Sequence, residues 1–261
     1  MARYWKIYRT FFTSSFAREL EFRANFVAKI IQNAVWIFFF LMVLLVIYRN
    51  TDTVAGWNRG DAFILFATVS LMNSIFTGFF FSLNEIPQHV RLGTLDFIIT
   101  KPVDTQFWIS IRKFEFGQIG TFLAGLAMVA IGVVSAHVHP SLVQWAGYLI
   151  LIFSALLIFY SFNLILMTTG IWLVRVDNLW VLGETLTQIA RFPIDIYGMA
   201  LRRAFIFFVP LAFIATIPSS QLKDGFDARM VGLGLVWAAV FLVAARWFWR
   251  FALTRYTSAS S

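Results

Sequence analysis

Charged residues fall in a few places along the chain and leave long stretches bare between them. Positions 30–48 carry no charge for 19 residues, and positions 62–84 carry none for 23. A helix needs about 20 apolar residues to cross a bilayer core, so each run predicts a membrane-spanning helix. Positions 116–174 are uncharged for 59 residues. That is room for two crossings, and His137, His139 and Pro140 mark the turn between them. A last bare run of 16 residues, 230–245, is extended by Trp247, Phe248 and Trp249, aromatics of the kind that collect at a membrane surface.

Ahead of the first run, Trp5, Tyr8, Phe12, Phe16 and Leu20 recur every three or four residues, the period of one helical face. Arg3, Lys6, Arg9, Arg18 and Arg23 are scattered through the same segment. No apolar core with a small-residue cleavage site follows, so the segment does not read as a signal peptide. A basic helix with aromatics on one face predicts an amphipathic interfacial helix over 1–25. The plainer reading, a positive anchor on the inner side, is compatible with it.

The stretch 178–222 gives two answers. Its most apolar part, 204–217, spans 14 residues between Arg203 and Pro218 with Pro210 inside, which suits a re-entrant segment better than a crossing. The preceding 178–197 is about one bilayer long but contains Glu184, Gln188, Arg191 and Asp195. Their spacings of four, three and four put them on one helical face, so this segment crosses only if that face looks at protein or water. Either choice makes six crossings and leaves both termini on one side. With 178–197 as the fifth crossing, Lys and Arg divide 14 inside to seven outside; with 204–217, they divide 17 to four. Both orientations put the termini in the cytoplasm.

Composition supports this reading. The chain of 261 residues is 60% hydrophobic and 13% charged, which is too apolar and too little charged for a soluble globule. A soluble enzyme, a disordered chain and a fibrous repeat are excluded. There are 31 Phe and 10 Trp, a density that suits lipid-facing helices with interfacial belts. No cysteine is present, which excludes disulfides, cysteine-ligated zinc and thiol catalysis. The net charge of +8 belongs to the cytoplasmic side and its anionic lipid rather than to nucleic acid.

Catalytic motifs are missing. The sequence has no phosphate-binding loop, no H-E-x-x-H and no G-x-S-x-G. His137 and His139 share a turn without a third ligand nearby, so loop polarity accounts for them better than metal binding. The longest hydrophilic segment is the 85–113 loop, where Arg91, Gly93, Leu95 and Asp96 precede Lys101-Pro102. Gly93 suits the end of a short helix and Pro102 the start of a new segment. Leu95, Phe97 and Ile98 then make a candidate apolar docking surface. A connector lying on the headgroups is the bland alternative.

Two stretches carry a family resemblance. One is Arg91-Leu92-Gly93-Thr94-Leu95-Asp96-Phe97 with Thr100-Lys101-Pro102-Val103. The other is Arg191-Phe192-Pro193-Ile194-Asp195-Ile196-Tyr197, followed by Phe207-Phe208-Val209-Pro210-Leu211-Ala212-Phe213 and Ile217-Pro218. With the six-span pattern, they resemble the permeases of ABC-2 type ABC transporters, in particular the prokaryotic six-span subfamily. The motifs are short, and the likeness in topology covers almost the whole chain.

The resemblance implies an all-α integral membrane fold of six transmembrane helices, with an N-terminal amphipathic interfacial helix and an external re-entrant segment before the last span. The spans expected are about 27–48, 62–84, 115–136, 145–173, 178–197 and 229–250, with 200–218 re-entrant. It favours 178–197 as span five, against raw hydropathy. It implies a prokaryotic inner membrane and no catalysis or cofactor in this chain. ATP and Mg belong to a partner ATPase subunit. A second permease, identical or related, completes an export pathway. The ATPase-coupling residues expected are Arg91, Gly93, Leu95, Asp96, Lys101 and Pro102. Glu184, Gln188, Arg191 and Asp195 are expected at the pathway or dimer seam, Arg191 and Asp195 pairing at i,i+4 and Glu184 serving the pathway.

A passive assembly subunit explains the same composition but not a docking-like loop. A secondary transporter would be expected to show an internal repeat, and none is visible. An intramembrane enzyme would need convergent acid, base or metal groups, and only the Glu184 region offers any.

Overall fold

The structure, a computed structural model, describes residues 2–173, 179–207 and 210–257. Arg175 of the charge tally, Asn178 at the fifth-span boundary, and Phe208 and Val209 of the second motif lie outside the described residues.

Five described helices are long and apolar enough to cross a membrane. The first is α2 (Arg23–Asn50), preceded by α1 (Ala2–Glu21). The second begins with α3 (Arg59–Phe80) and runs through a 3-10 turn into α4 (Ile86–Arg91). Two short helices follow, α5 (Leu95–Ile99) and α6 (Thr105–Ile111). The third and fourth crossings are α7 (Ile119–Ser135) and α8 (Leu142–Thr168). After the short α9 (Leu179–Ala190), α10 (Met199–Phe207) and α11 (Thr216–Lys223), α12 (Ala228–Arg255) is the fifth. The chain is a multi-pass membrane protein.

The helix starts are written locally. A helix leaves its first N–H groups without intrahelical partners. At α3, Asn58 Oδ1 accepts from the Asp61 N–H at 2.9 Å and Asp61 Oδ2 accepts from the Asn58 N–H at 3.0 Å, a reciprocal capping box. Ser141 and Gln144 repeat the arrangement at α8. The Asp227 carboxylate accepts from the N–H groups of Arg229 and Met230 at α12.

Glycines set the closest packing. A Cβ on Gly60 of α3 would stand 2.3 Å from the Ala136 nitrogen, and one on Gly132 of α7 would stand 2.9 Å from the Ile64 nitrogen. Without side chains at these points, α3 and α7 run antiparallel at close range. Along α8, Gly147 lies against Phe226; Gly234 of α12 lies against Leu151. Within this frame α3 is the central element, buried over most of its length.

The α2–α3 connection folds into a hairpin of β1 (Thr53–Val54) and β2 (Trp57–Asn58) that the hydrophobic pattern did not predict. Ala55 and Gly56 both have positive φ, 51° and 81°, the requirement of a two-residue turn that matches strand twist. Strands two residues long carry no alternation to read.

The 178–197 segment departs from the expected single helix. α9 ends at Ala190, and a separate 3-10 turn covers Ile194–Ile196. Twelve helical residues reach about 18 Å, against a bilayer core of about 30 Å. Pro193 accounts for the break: it lacks an N–H, its ring clashes with a preceding helical turn, and it pushes Phe192 out of helical geometry. The apolar run 204–217 is not one helix either. It is divided among α10, a turn at Leu211–Phe213 and α11. α11 lies buried against α3 and α8.

The N-terminal stripe also meets protein. α1 lies along α6 and the α6–α7 connection, with the Tyr4 ring 4.8 Å from Phe107, Phe11 4.6 Å from Trp108 and Phe12 5.4 Å from Phe114. Trp5 and Leu20 face outward.

Candidate functional site

A cavity of about 440 Å³ opens among α2, α3, α7, α8 and α9. Along α3 its lining runs from Phe66 to Thr77, about 17 Å at 1.5 Å per residue. Its walls are more polar than hydropathy implied. Gln32 and Asn33 come from α2, Asn73 and Thr77 from α3, Asn84 from the turn after it, Gln118 from the turn before α7, Thr121 from the start of α7, and Asn163 from α8. None of these is charged, so charge counting passes over them. They were legible only as scattered polar residues within otherwise apolar runs.

Glu184 and Gln188 of α9 and Arg191 just after it line the same cavity. Gln188 donates to Glu184 at 3.0 Å, and the Arg191 guanidinium lies 4.0 Å from the Glu184 carboxylate. The guanidinium also sits 5.5 Å from the Phe40 ring centre. Gly183 lets α9 come close to α8: a Cβ there would stand 2.7 Å from Asn163 Oδ1. Beside Arg191, Phe40 stacks on Phe66 at 4.2 Å, with Phe192 6.0 Å from Phe40. Phe40 and Phe66 belong to the cavity lining.

Asp195 does not join them. The break after Ala190 carries it out of the shared face, and its expected pairing with Arg191 is not formed. Its carboxylate accepts from Trp57 Nε1 at 2.9 Å and pairs with Arg202 at 3.0 Å. Trp57 is 2% exposed, with the Lys223 ammonium 4.8 Å from its ring centre. One tryptophan therefore joins the hairpin to the segments on either side of α10. Nothing in the sequence pattern pointed to Trp57.

At the other end of the bundle, the 85–113 segment is structured throughout. Gly93 has φ of 66°, a conformation other side chains resist, and it turns the chain from α4 into α5. Leu95 and Ile98, expected on a docking surface, are buried (0% and 4% exposed) and hold α5 to the core. A short helix keeps one face inward, so the outward residues are Leu92, Phe97 and Ile99, with Phe97 71% exposed. Arg91 ends α4, Asp96 stands in the first turn of α5 and Pro102 lies exposed in the bend before α6. Lys101 sits 3.8 Å over the Trp108 ring.

Glu85 gathers this end. Its carboxylate pairs with Lys113, with Arg112 at 3.3 Å and with the His89 ring at 3.9 Å. Asp104 caps α6 by accepting from the Phe107 N–H at 2.9 Å and receives Arg246 of α12 at 3.1 Å; Arg246 also donates to Gln106 at 2.8 Å. The hydrogen bond from Arg246 holds the Asp104 carboxyl below the usual carboxylate range. The Tyr4 hydroxyl accepts from the Asp104 N–H at 3.3 Å, so α1, α6 and α12 meet there.

Residues 34–260 match the family described as ABC-2 family transporter protein. No curated protein matches the chain.

Proposed function

Because the chain belongs to the ABC-2 family of transporter proteins, we propose that it is the permease subunit of an ATP-driven exporter, working as a dimer with a separate ATPase. The polar cavity among helices long enough to cross a membrane is the observation that carries this reading. Amides and an ion pair among lipid-facing helices are costly unless they serve water or a solute. In this reading α9 is the fifth crossing, completed by the Pro193–Tyr197 segment, and 200–218 re-enters from outside. The termini are cytoplasmic and the membrane is that of a prokaryotic cell.

The 85–113 segment is the coupling element. ATP, with its Mg, binds the partner and closes it. Leu92 and Phe97 are the apolar contacts offered to it, with Arg91, Asp96, Lys101 and Pro102 around them. Gly93 sets the angle at which α5 is presented. Leu95 acts from within, as the anchor that makes α5 move with the bundle. Motion then reaches the cavity along α3, which is continuous with α4, and α12 through Asp104–Arg246. The two permeases change access to the cavity between their α2 and α9 faces. The energy enters at the ATPase, so this chain converts movement into changed affinity.

The test is purification of the tagged protein from its own membrane in mild detergent, with mass spectrometry of what accompanies it. A stoichiometric ATPase, lost when Gly93 and Asp96 are replaced, is the expected result. Recovery of the chain alone at every detergent strength overturns the reading in favour of a passive subunit. The same sample reports whether the second permease is identical.

A further inference from the structure

Trp57 is placed as a fixed catch. Its indole is buried, its carbonyl accepts from the Tyr48 hydroxyl of α2 at 3.0 Å, and the Lys223 ammonium of α11 lies 4.8 Å from its ring centre. The capping box of Asn58 and Asp61 follows directly and ties the hairpin to the start of α3. A buried ring held from α2, α3 and α11 moves only with them.

What it catches is held less firmly. The Asp195 carboxylate accepts from Trp57 Nε1 at 2.9 Å, yet its side chain is 23% exposed and its second oxygen pairs with Arg202 of α10. α10 buries none of its residues. On leaving Trp57, Asp195 therefore keeps its cation and gains water, and no charge is stranded in an apolar place. Next to it, the Ile194 N–H donates to the Thr216 hydroxyl at 3.3 Å. Thr216 belongs to α11, which is buried against α3 and α8. Ile194 is thus a pivot and Asp195 a bolt. The same stretch reaches the cavity: Arg191, four residues before Asp195, lies 5.5 Å from the Phe40 ring centre and 4.0 Å from Glu184, and Phe192 lies 6.0 Å from Phe40. Pro193 between them has a fixed φ, so the link is short and stiff.

We propose that Trp57 is a positioning residue for transport: its indole N–H holds Asp195, and through it the α9 wall, against α2, and the cavity opens to the outside only when that hydrogen bond breaks. A shift of Asp195 away from the hairpin, about the pivot at Ile194, draws Arg191 and Phe192 off Phe40. Arg202 follows the bolt and does not fasten it. The proposal rests on the reading of this cavity as the transport pathway.

Because the chain has no cysteine, Asn73→Cys provides a single thiol in the cavity wall, and Gln118→Cys provides a second position should the first not fold. Thr51→Cys, exposed just ahead of the hairpin, is the reference. In right-side-out membrane vesicles holding the whole transporter, the impermeant reagent sulfonatoethyl methanethiosulfonate is added outside, with and without ATP inside. In the parent background the wall thiol should react with ATP and stay protected without it. Trp57→Phe should make it react without ATP, at least about tenfold faster than in the parent relative to the reference, the size expected for losing a hydrogen bond to a charged group. Asp195→Ala removes the same bond from the other side, and the double variant should open no further than either single one. Gly234→Leu, which crowds Leu151 where α12 meets α8, should lower the thermal midpoint without exposing the wall thiol, a difference that a merely structural role for Trp57 does not produce.

A wall thiol that stays protected without ATP in both Trp57→Phe and Asp195→Ala overturns the proposal but leaves the pathway reading standing. So do additive effects in the double variant, equal exposure in Gly234→Leu, and a parent whose wall thiol reacts equally with and without ATP. Reaction of the reference thiol with none at either wall position, under any condition, removes the pathway reading and the proposal together.

Discussion

At the scale of single residues, most of the consequence lies in a few polar contacts. Trp57→Phe keeps a ring in the hairpin but removes the Nε1–H that Asp195 accepts. A hydrogen bond to a charged group contributes about 1.5–3 kcal/mol, so the variant should melt earlier in detergent, as read by loss of the monodisperse peak after heating. Glu184→Gln should alter transport while leaving assembly near normal, because Glu184 is a third exposed and its partner Arg191 keeps the Phe40 ring. Unchanged transport by a normally assembled variant would remove Glu184 from the pathway. Asp104 gives a dependence on pH. Its folded pKa lies below the unfolded value of about 3.9. Its stabilising effect is therefore complete above that value and lost as pH falls through the lower folded one. Asp104→Asn should thus melt earlier than the parent near neutral pH, and the gap should close in strong acid.

At the scale of elements, what was legible follows from how each signal is written. The five long helices could be read because bilayer length and absence of charge are properties of a run. The loop around Gly93 could be read because a positive φ leaves a glycine behind. The break at Pro193 was visible as a residue, but the spacings of four, three and four from Glu184 to Asp195 made a continuous helix look equally good. Tertiary contacts with Trp57 and Arg202 decide where Asp195 goes, and no local pattern encodes them. Leu95 was misplaced for a similar reason: in a five-residue helix the inward face depends on what lies beneath it. The contact of α3 with α7 is the element-scale prediction. Gly132→Leu sets a side chain against the Ile64 backbone, and overpacking of this kind costs about 1–3 kcal/mol. The thermal midpoint should fall, and Gly232→Leu, with open space around it, should leave it unchanged.

At the scale of the whole molecule, the amide-lined cavity is assembled from five helices far apart in sequence. No single stretch announced it, although α9 supplied its charged pair at legible spacing. The molecule is uneven in another respect. α3, α7, α8 and α12 are long, but the chain from α9 to α11 is cut into short helices by turns at Ile194–Ile196 and Leu211–Phe213. Every helix end leaves N–H and C=O groups outside the ladder, so this region has many ends for its length. Its backbone amides should open in small units at a fraction of the free energy of global unfolding. In deuterium exchange by mass spectrometry, peptides from 179–207 should take up label well before those from α3 and α8. The energetically soft part of the protein then coincides with one wall of the cavity, and α9 can shift there while the long helices keep their packing.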